Sequence, residues 1–187
     1  MPALQEELLE NLKARIRGFV LNKSDPAYEN SRKMWNAMID RRPTAIVQSM
    51  GVQDVIEAVN FARDNQLLLS VKGGGHNISG LAVCDDGLML DMSRMRGVWV
   101  DAIGRTVHAQ TGCLLGDVDR ETQIHGLAAV LGFISNTGIA GLTLGGGFGY
   151  LTRRFGWTSD NVRSMEVVTA DGRVLRASEE QNADLFS

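Results

Sequence analysis

Two stretches of this chain concentrate the residue types that bind anions and attack electrophiles. The first is Val71-Lys72-Gly73-Gly74-Gly75-His76-Asn77, three glycines followed by an imidazole. Glycine reaches positive φ at little steric cost, so such a turn can aim successive backbone N–H groups at one anion, and a pyrophosphate suits that arrangement. Lys72 either adds a charge to the same anion or is a solvated lysine at a strand end. His76 abuts the turn. A neutral imidazole nitrogen is a competent nucleophile toward an electrophilic cofactor carbon, although a histidine beside a turn more commonly just makes a hydrogen bond.

The second stretch, residues 138–150, holds six glycines in thirteen positions. Each glycine forgoes side-chain burial and costs backbone entropy on ordering, so this density is read as excluding a packed helix or strand. Two readings remain: a large flat or phosphorylated ligand lies against the segment, or it is a set of tight turns between core elements. Neither cluster has the strand, G-x-G-x-x-G and helix of a dinucleotide fold, nor the Gly-Lys-Ser/Thr ending of a phosphate loop, so a nicotinamide Rossmann domain is disfavoured. It is the pair, inside one small domain, that suggests an extended cofactor gripped at more than one point.

Other chemistries find less support. Gly-x-Ser-x-Gly is absent, so Ser79 and Ser135 read as turn or cofactor-contact residues rather than nucleophiles. His108 falls in a predicted strand and His125 at a helix end. With no H-x-x-H or C-x-x-C spacing around Cys84, Cys113 or the histidines, no metal site is expected.

The elements that must hold these stretches follow from periodicity. Leu4, Leu8, Leu12 and Ile16 recur at helical spacing and predict an opening amphipathic helix ending near Gly18. Pro43 breaks the following mixed stretch and sets up an extended segment at residues 45–48. Val52, Val55, Ile56, Val59 and Ala62 trace a helical stripe, and the apolar run at residues 67–71 suits a buried strand delivering the first glycine turn. A further strand is predicted at residues 88–92 after Asp86-Gly87. Two hairpins are expected around Gly104 and around Asp171-Gly172, with a helix between them over residues 114–122 closed by Gly126. The whole reads as mixed α+β, with residues 1–40 as an N-terminal helical segment and residues 41–187 as the main domain.

Composition sets the outer limits. At 187 residues, 44% apolar and 22% charged, the chain can build one compact core. A net charge of −3 gives no basic field for a polyanion, so nucleic acid is not an expected partner. The acidic residues within the first apolar stretch rule out a signal-peptide core, and no apolar run reaches the roughly 20 residues of a membrane span. Two cysteines without a framework read as reduced thiols, and the chain is expected in the cytoplasm.

Taken together and in order, residues 71–81, residues 138–149, Ser159-Asp160-Asn161-Val162 and Val168-Thr169-Ala170-Asp171-Gly172 resemble the berberine-bridge-enzyme-like flavoproteins of the vanillyl-alcohol-oxidase superfamily. The resemblance runs from about residue 41 to the C-terminus. It implies a PCMH-type FAD-binding domain of two α+β lobes with mixed parallel and antiparallel sheets, in a flavin-dependent oxidoreductase that oxidises a small organic substrate by hydride transfer to FAD.

The resemblance assigns FAD contacts to Lys72, Gly73, Gly74, Gly75, His76 and Asn77 at the pyrophosphate turn. It assigns Ser135, Thr137, Gly138, Gly141, Thr143, Gly146, Gly147 and Gly149 to the flavin and its ribityl-diphosphate arm, and Val168 to the adenine end. It makes His76 the covalent attachment point, to the flavin's 8-methyl carbon, where a histidyl link raises the reduction potential in family members. Ile134 stands where some members carry a second, cysteinyl link, so double attachment is not expected.

The family continues past this chain's end into a further flavin segment, a substrate domain and the catalytic base, so no catalytic residue is assigned here. A small-molecule substrate is expected only if a missing domain completes the site, and self-association as a homo-oligomer through the face so exposed is an expectation. The rival reading is a non-catalytic flavin-domain fragment serving as a binding or assembly module.

Overall fold

The computed structural model describes residues 2–186. The chain opens with α1 (Pro2–Lys13). Leu12 is fully buried, with Leu8, Leu9 and Ile16 packed on the same core, as the helical spacing predicts, while the side chain of Leu4 lies outside the described residues. The helix stops before Gly18, because a strand begins there: β1 (Phe19–Asn22) pairs antiparallel with β2 (Ala45–Gln48). A Cβ on Gly18 would lie 2.0 Å from the Gln48 carbonyl oxygen, so only glycine fits at this entry. The sequence reading places no strand within residues 1–40. Four residues are too few to display a period.

The strand-helix-strand unit is present as β2, α3 (Val52–Asp64) and β3 (Leu69–Lys72), joined by β4 (Leu88–Asp91) in a four-stranded sheet of order β1-β2-β4-β3. Both β2 and β3 run parallel to β4. Alternate residues of the central strands face opposite ways. Val20, Ala45, Val47, Leu88 and Leu90 join a core with α1 and α3, whereas Leu21, Ile46 and Met89 join a second core with Tyr28, Met34, Ala82 and Val83. Burial on both faces is why these strands read as continuous apolar runs instead of alternating. Tyr28 lies in the short helix α2 (Tyr28–Ser31), and its hydroxyl donates to the Pro43 carbonyl at 2.6 Å, tying the N-terminal segment to the sheet.

The second lobe uses the predicted hairpin of β5 (Val98–Asp101) and β6 (Thr106–Ala109), which packs with α4 (Leu115–Gln123) around Cys113, Leu115, Val118 and Leu131. Beyond α4 come α5 (Ile139–Leu144), α6 (Thr152–Phe155), a 3-10 turn at Ser159–Asn161 and the second hairpin, β7 (Ser164–Val168) with β8 (Val174–Ser178). The short α7 (Ala183–Phe186) ends the described chain. Val168 packs on the core shared by α1 and α3, so the second hairpin leans on the first lobe. The architecture is α+β with parallel and antiparallel pairing, as expected.

One expectation fails. The glycine density of residues 138–150 does not exclude a helix, since α5 occupies their first half. The glycines are tolerated because Gly138 and Gly145 flank the helix, while Gly141 sits on a face where a Cβ would meet nothing within 4 Å.

Asp117 fixes the start of α4. Its carboxylate accepts from the Leu114 N–H at 2.8 Å and from Arg96 at 2.9 and 2.5 Å. Burial pushes its pKa up, but the Arg96 guanidinium and the Leu114 amide outweigh this and hold it below the ordinary carboxylate value. A depressed folded-state pKa contributes stability above the unfolded value, lost as pH falls through the folded one. Asp117→Asn is therefore expected to lower stability by about 1–2 kcal/mol at pH 7, the range for losing a helix cap. Denaturant melts of the two proteins should converge well below pH 4, where wild type is protonated too.

Candidate cofactor-binding site

Strand β3 delivers Lys72 to the first glycine turn, and that turn meets the second glycine stretch directly. A Cβ on Gly74 would lie 2.3 Å from the Gly138 nitrogen, and one on Gly138 would lie 2.3 Å from the Gly74 nitrogen. The two backbones touch. Gly138 is held there because Leu114 bridges it in an antiparallel pair, with Leu115 N–H donating to the Thr137 carbonyl at 2.9 Å and Ile139 N–H to the Cys113 carbonyl at 3.0 Å.

Gly75 has φ +73°, a conformation that side chains resist, and its carbonyl accepts the Trp35 N–H at 3.0 Å. Among the described residues nothing accepts a hydrogen bond from the N–H groups of Gly73, Gly74, Gly75, His76 or Asn77. Consecutive unpaired amides at a glycine turn are the donor set that a phosphate's oxygens satisfy. The turn thus fits the diphosphate of a dinucleotide on the structure's own terms.

His76 projects across to the second stretch, with Nε2 3.0 Å from the Asn136 carbonyl oxygen. A carbonyl only accepts, so Nε2 carries the hydrogen, and in the neutral imidazole it is Nδ1 that holds the lone pair. The imidazole is stacked on Trp35, centroids 5.3 Å apart and 20° between planes. The Asn77 side chain closes its own turn by accepting the Leu81 N–H at 2.9 Å. Lys72 is not solvated: its ammonium donates to the Ser31 carbonyl at 2.6 Å. Burial lowers its pKa, opposed by Asp91.

Beyond the contact lies an open groove of about 350 Å³, lined by Thr137, Gly141 and Gly147 and by apolar walls including Phe133, Ile134, Leu142, Phe148 and Trp157. Phe133 makes edge contacts with Phe148 at 5.2 Å and Tyr150 at 4.8 Å. Gly146 and Gly147 have φ of +94° and +70°, and their carbonyls accept the Ser159 and Thr158 N–H groups at 2.9 and 2.8 Å. Those bonds explain why Ser159-Asp160-Asn161 follows the glycines: the turn holds their loop. Gly149 lets the chain cross Leu131, whose carbonyl oxygen would be 1.9 Å from a Cβ.

The structure gathers Gly73 to His76, Thr137, Gly138, Gly141 and Gly147 around this turn and groove. The Ser135 carbonyl accepts the Gly116 N–H, and the Thr143 hydroxyl is taken up by the Ile139 carbonyl at 2.8 Å. Val168 lies apart, with its side chain in the first-lobe core. Residues 31–35 and the aromatic rim went unassigned in the sequence reading. No periodicity marks them, because they face the site one residue at a time.

The family described as FAD binding domain matches residues 43–178. An FAD-linked oxidoreductase of Dictyostelium discoideum is 41% identical over 172 residues, covering 91% of this chain and 38% of that protein. The (R)-6-hydroxynicotine oxidase of Paenarthrobacter nicotinovorans is 36% identical over 171 residues, covering 91% and 37%. The crystal structure of 6-hydroxy-D-nicotine oxidase from Arthrobacter nicotinovorans superposes with a TM-score of 0.90 at 36% identity, over 91% of this chain and 38% of that one. BBE-like 1 of Physcomitrella patens gives 0.90 at 27% identity, over 95% and 39%. The chain spans about two fifths of the length of the relatives it matches.

Proposed function

The chain belongs to the FAD binding domain family, as the FAD-binding portion of flavin-dependent oxidoreductases, and from that premise we propose that it holds FAD across the Gly74–Gly138 contact and bonds it through His76. The observation that carries this reading is the row of unpaired amides from Gly73 to Asn77, ending beside an imidazole with a free Nδ1 lone pair. Those amides bind the diphosphate, and the apolar groove beside Gly141 and Gly147 takes the flat ring and excludes water from it. Ser135, Thr143, Gly146 and Gly149 shape that wall from behind, and Val168 serves the adenine end through its backbone.

FAD held here would supply the carbon that His76 Nδ1 bonds and, with dioxygen or another acceptor, the two-electron oxidation that the coupling requires, while the imidazole would give up its proton. Asn136 orients the imidazole for that bond. Ile134 lines the groove without a thiol, so attachment is single.

In the whole protein the same site oxidises a small organic substrate by hydride transfer, in a pocket completed by a further domain. We take residues 41–187 as the FAD-binding domain, with residues 1–40 folded onto it. Among the described residues no helix is long and apolar enough to cross a membrane and no cluster of metal-ligating side chains occurs. Both cysteines are free and buried, which supports a cytoplasmic, reducing setting.

The test is titration of the purified chain with FAD, followed by absorbance and melting. If the folded state alone binds, saturation at about 100 times Kd adds about 2.7 kcal/mol. At roughly 2–4 °C per kcal/mol that is a rise in Tm of about 5–10 °C. A chain that gains neither flavin absorbance nor Tm is a non-catalytic module, and the proposal fails.

A further inference from the structure

An exposed tryptophan with one ring partner needs a reason. The Trp35 side chain is 69% exposed, and among the described residues its only ring contact is the stack on His76.

The backbone under Trp35 is fixed to the glycine turn independently of the ring. Its N–H donates to the Gly75 carbonyl at 3.0 Å, Lys72 Nζ donates to the Ser31 carbonyl at 2.6 Å, and Met34 is buried close to Gly75. Residues 31–35 are thereby tied to the turn at both ends. The indole lies against the face of the His76 ring while the Asn136 carbonyl takes Nε2–H at its edge.

We infer that Trp35 is a positioning residue for His76: its flat face holds the imidazole in the plane that keeps Nε2–H on Asn136 and leaves Nδ1 as the bond-forming nitrogen. This rests on the reading that FAD is bonded through His76. A single hydrogen bond fixes one atom of the ring and leaves rotation about it; a stacked face removes that rotation. Offset stacking at this separation is the favoured geometry for paired rings.

The comparison is between Trp35→Leu, which keeps apolar bulk without a flat face, and Trp35→Phe, which keeps the face. Because the indole is largely exposed, both variants are expected to fold. Heteronuclear NMR of the imidazole nitrogens in the flavin-free proteins should show a single Nε2–H tautomer for wild type and Trp35→Phe, and averaged tautomers for Trp35→Leu. After FAD loading, acid-stable flavin should form roughly three- to tenfold more slowly in Trp35→Leu, with total bound flavin little changed. An unchanged tautomer signature in Trp35→Leu overturns the inference. If wild type forms no acid-stable flavin, the covalent reading falls, and the tautomer comparison still decides the role of Trp35.

Discussion

His76→Ala protein loaded with FAD is expected to release all its flavin on acid precipitation, while the wild-type pellet stays yellow. The effect should be all-or-none because His76 is the imidazole that reaches the glycine contact. Ile134 brings no nucleophile to the groove, and Cys113 is fully buried, its thiol pKa raised by burial and by Asp117. His108 stands exposed on β6 against Trp99, on the first hairpin, rather than at the glycine contact.

Stability should fall much less. The substitution removes one exposed hydrogen bond to Asn136 and one ring stack, about 1–2 kcal/mol together at most. His76→Gln, which retains a donor for Asn136 but has no imidazole, separates the two effects: it should keep most of the stability and still lose all acid-stable flavin. Retention of flavin in the His76→Ala pellet would exclude His76 as the attachment point, whatever its other contacts.

Gly74→Ala should be among the most damaging single methyls in the site. The new carbon would lie 2.3 Å from the Gly138 nitrogen and 2.6 Å from its Cα, and both are backbone atoms that cannot rotate away. Gly138 is pinned in turn by its pairing with Leu114, so the lobes must part or the turn must rebuild. Overpacking typically costs about 1–3 kcal/mol, and a backbone-to-backbone clash belongs at or above the top of that range. FAD binding should be lost with it, since the amide row and the groove are aligned through this contact.

Gly141→Ala supplies the contrast. Its Cβ would meet nothing within 4 Å, and within a helix alanine is favoured over glycine by about 0.5–1 kcal/mol. The free protein should be as stable as wild type or more so, while FAD affinity drops because Gly141 lines the groove. Paired urea melts and FAD titrations read both quantities. Equal losses of stability in the two variants would mean that the Gly74–Gly138 contact does not hold the lobes together.

Much of the scaffold was legible from the sequence. The stripe from Val52 to Ala62, the apolar runs of β2, β3 and β4, and the hairpin turns at Gly104 and Asp171-Gly172 are short-range signals, set by side-chain period and turn chemistry. Each appears near its expected place. The candidate site was legible for the same reason: three glycines before a histidine state their own chemistry locally, and the order of motifs pointed to an FAD fold that the family match bears out.

What the sequence could not supply were the pairings. That Gly74 rests on Gly138, that His76 reaches Asn136 sixty residues away, that Lys72 turns to Ser31 and that Trp35 covers the imidazole are decided by how the lobes and the N-terminal segment pack. β1 was missed because its four residues become a strand only when β2 offers a hydrogen-bonding edge. Residue types and spacing thus pointed to an extended cofactor and nominated glycine backbone and an imidazole as its contacts. Only tertiary structure decided which atoms face it, because contacts between distant residues are selected by close packing of the whole fold and leave no period in the chain.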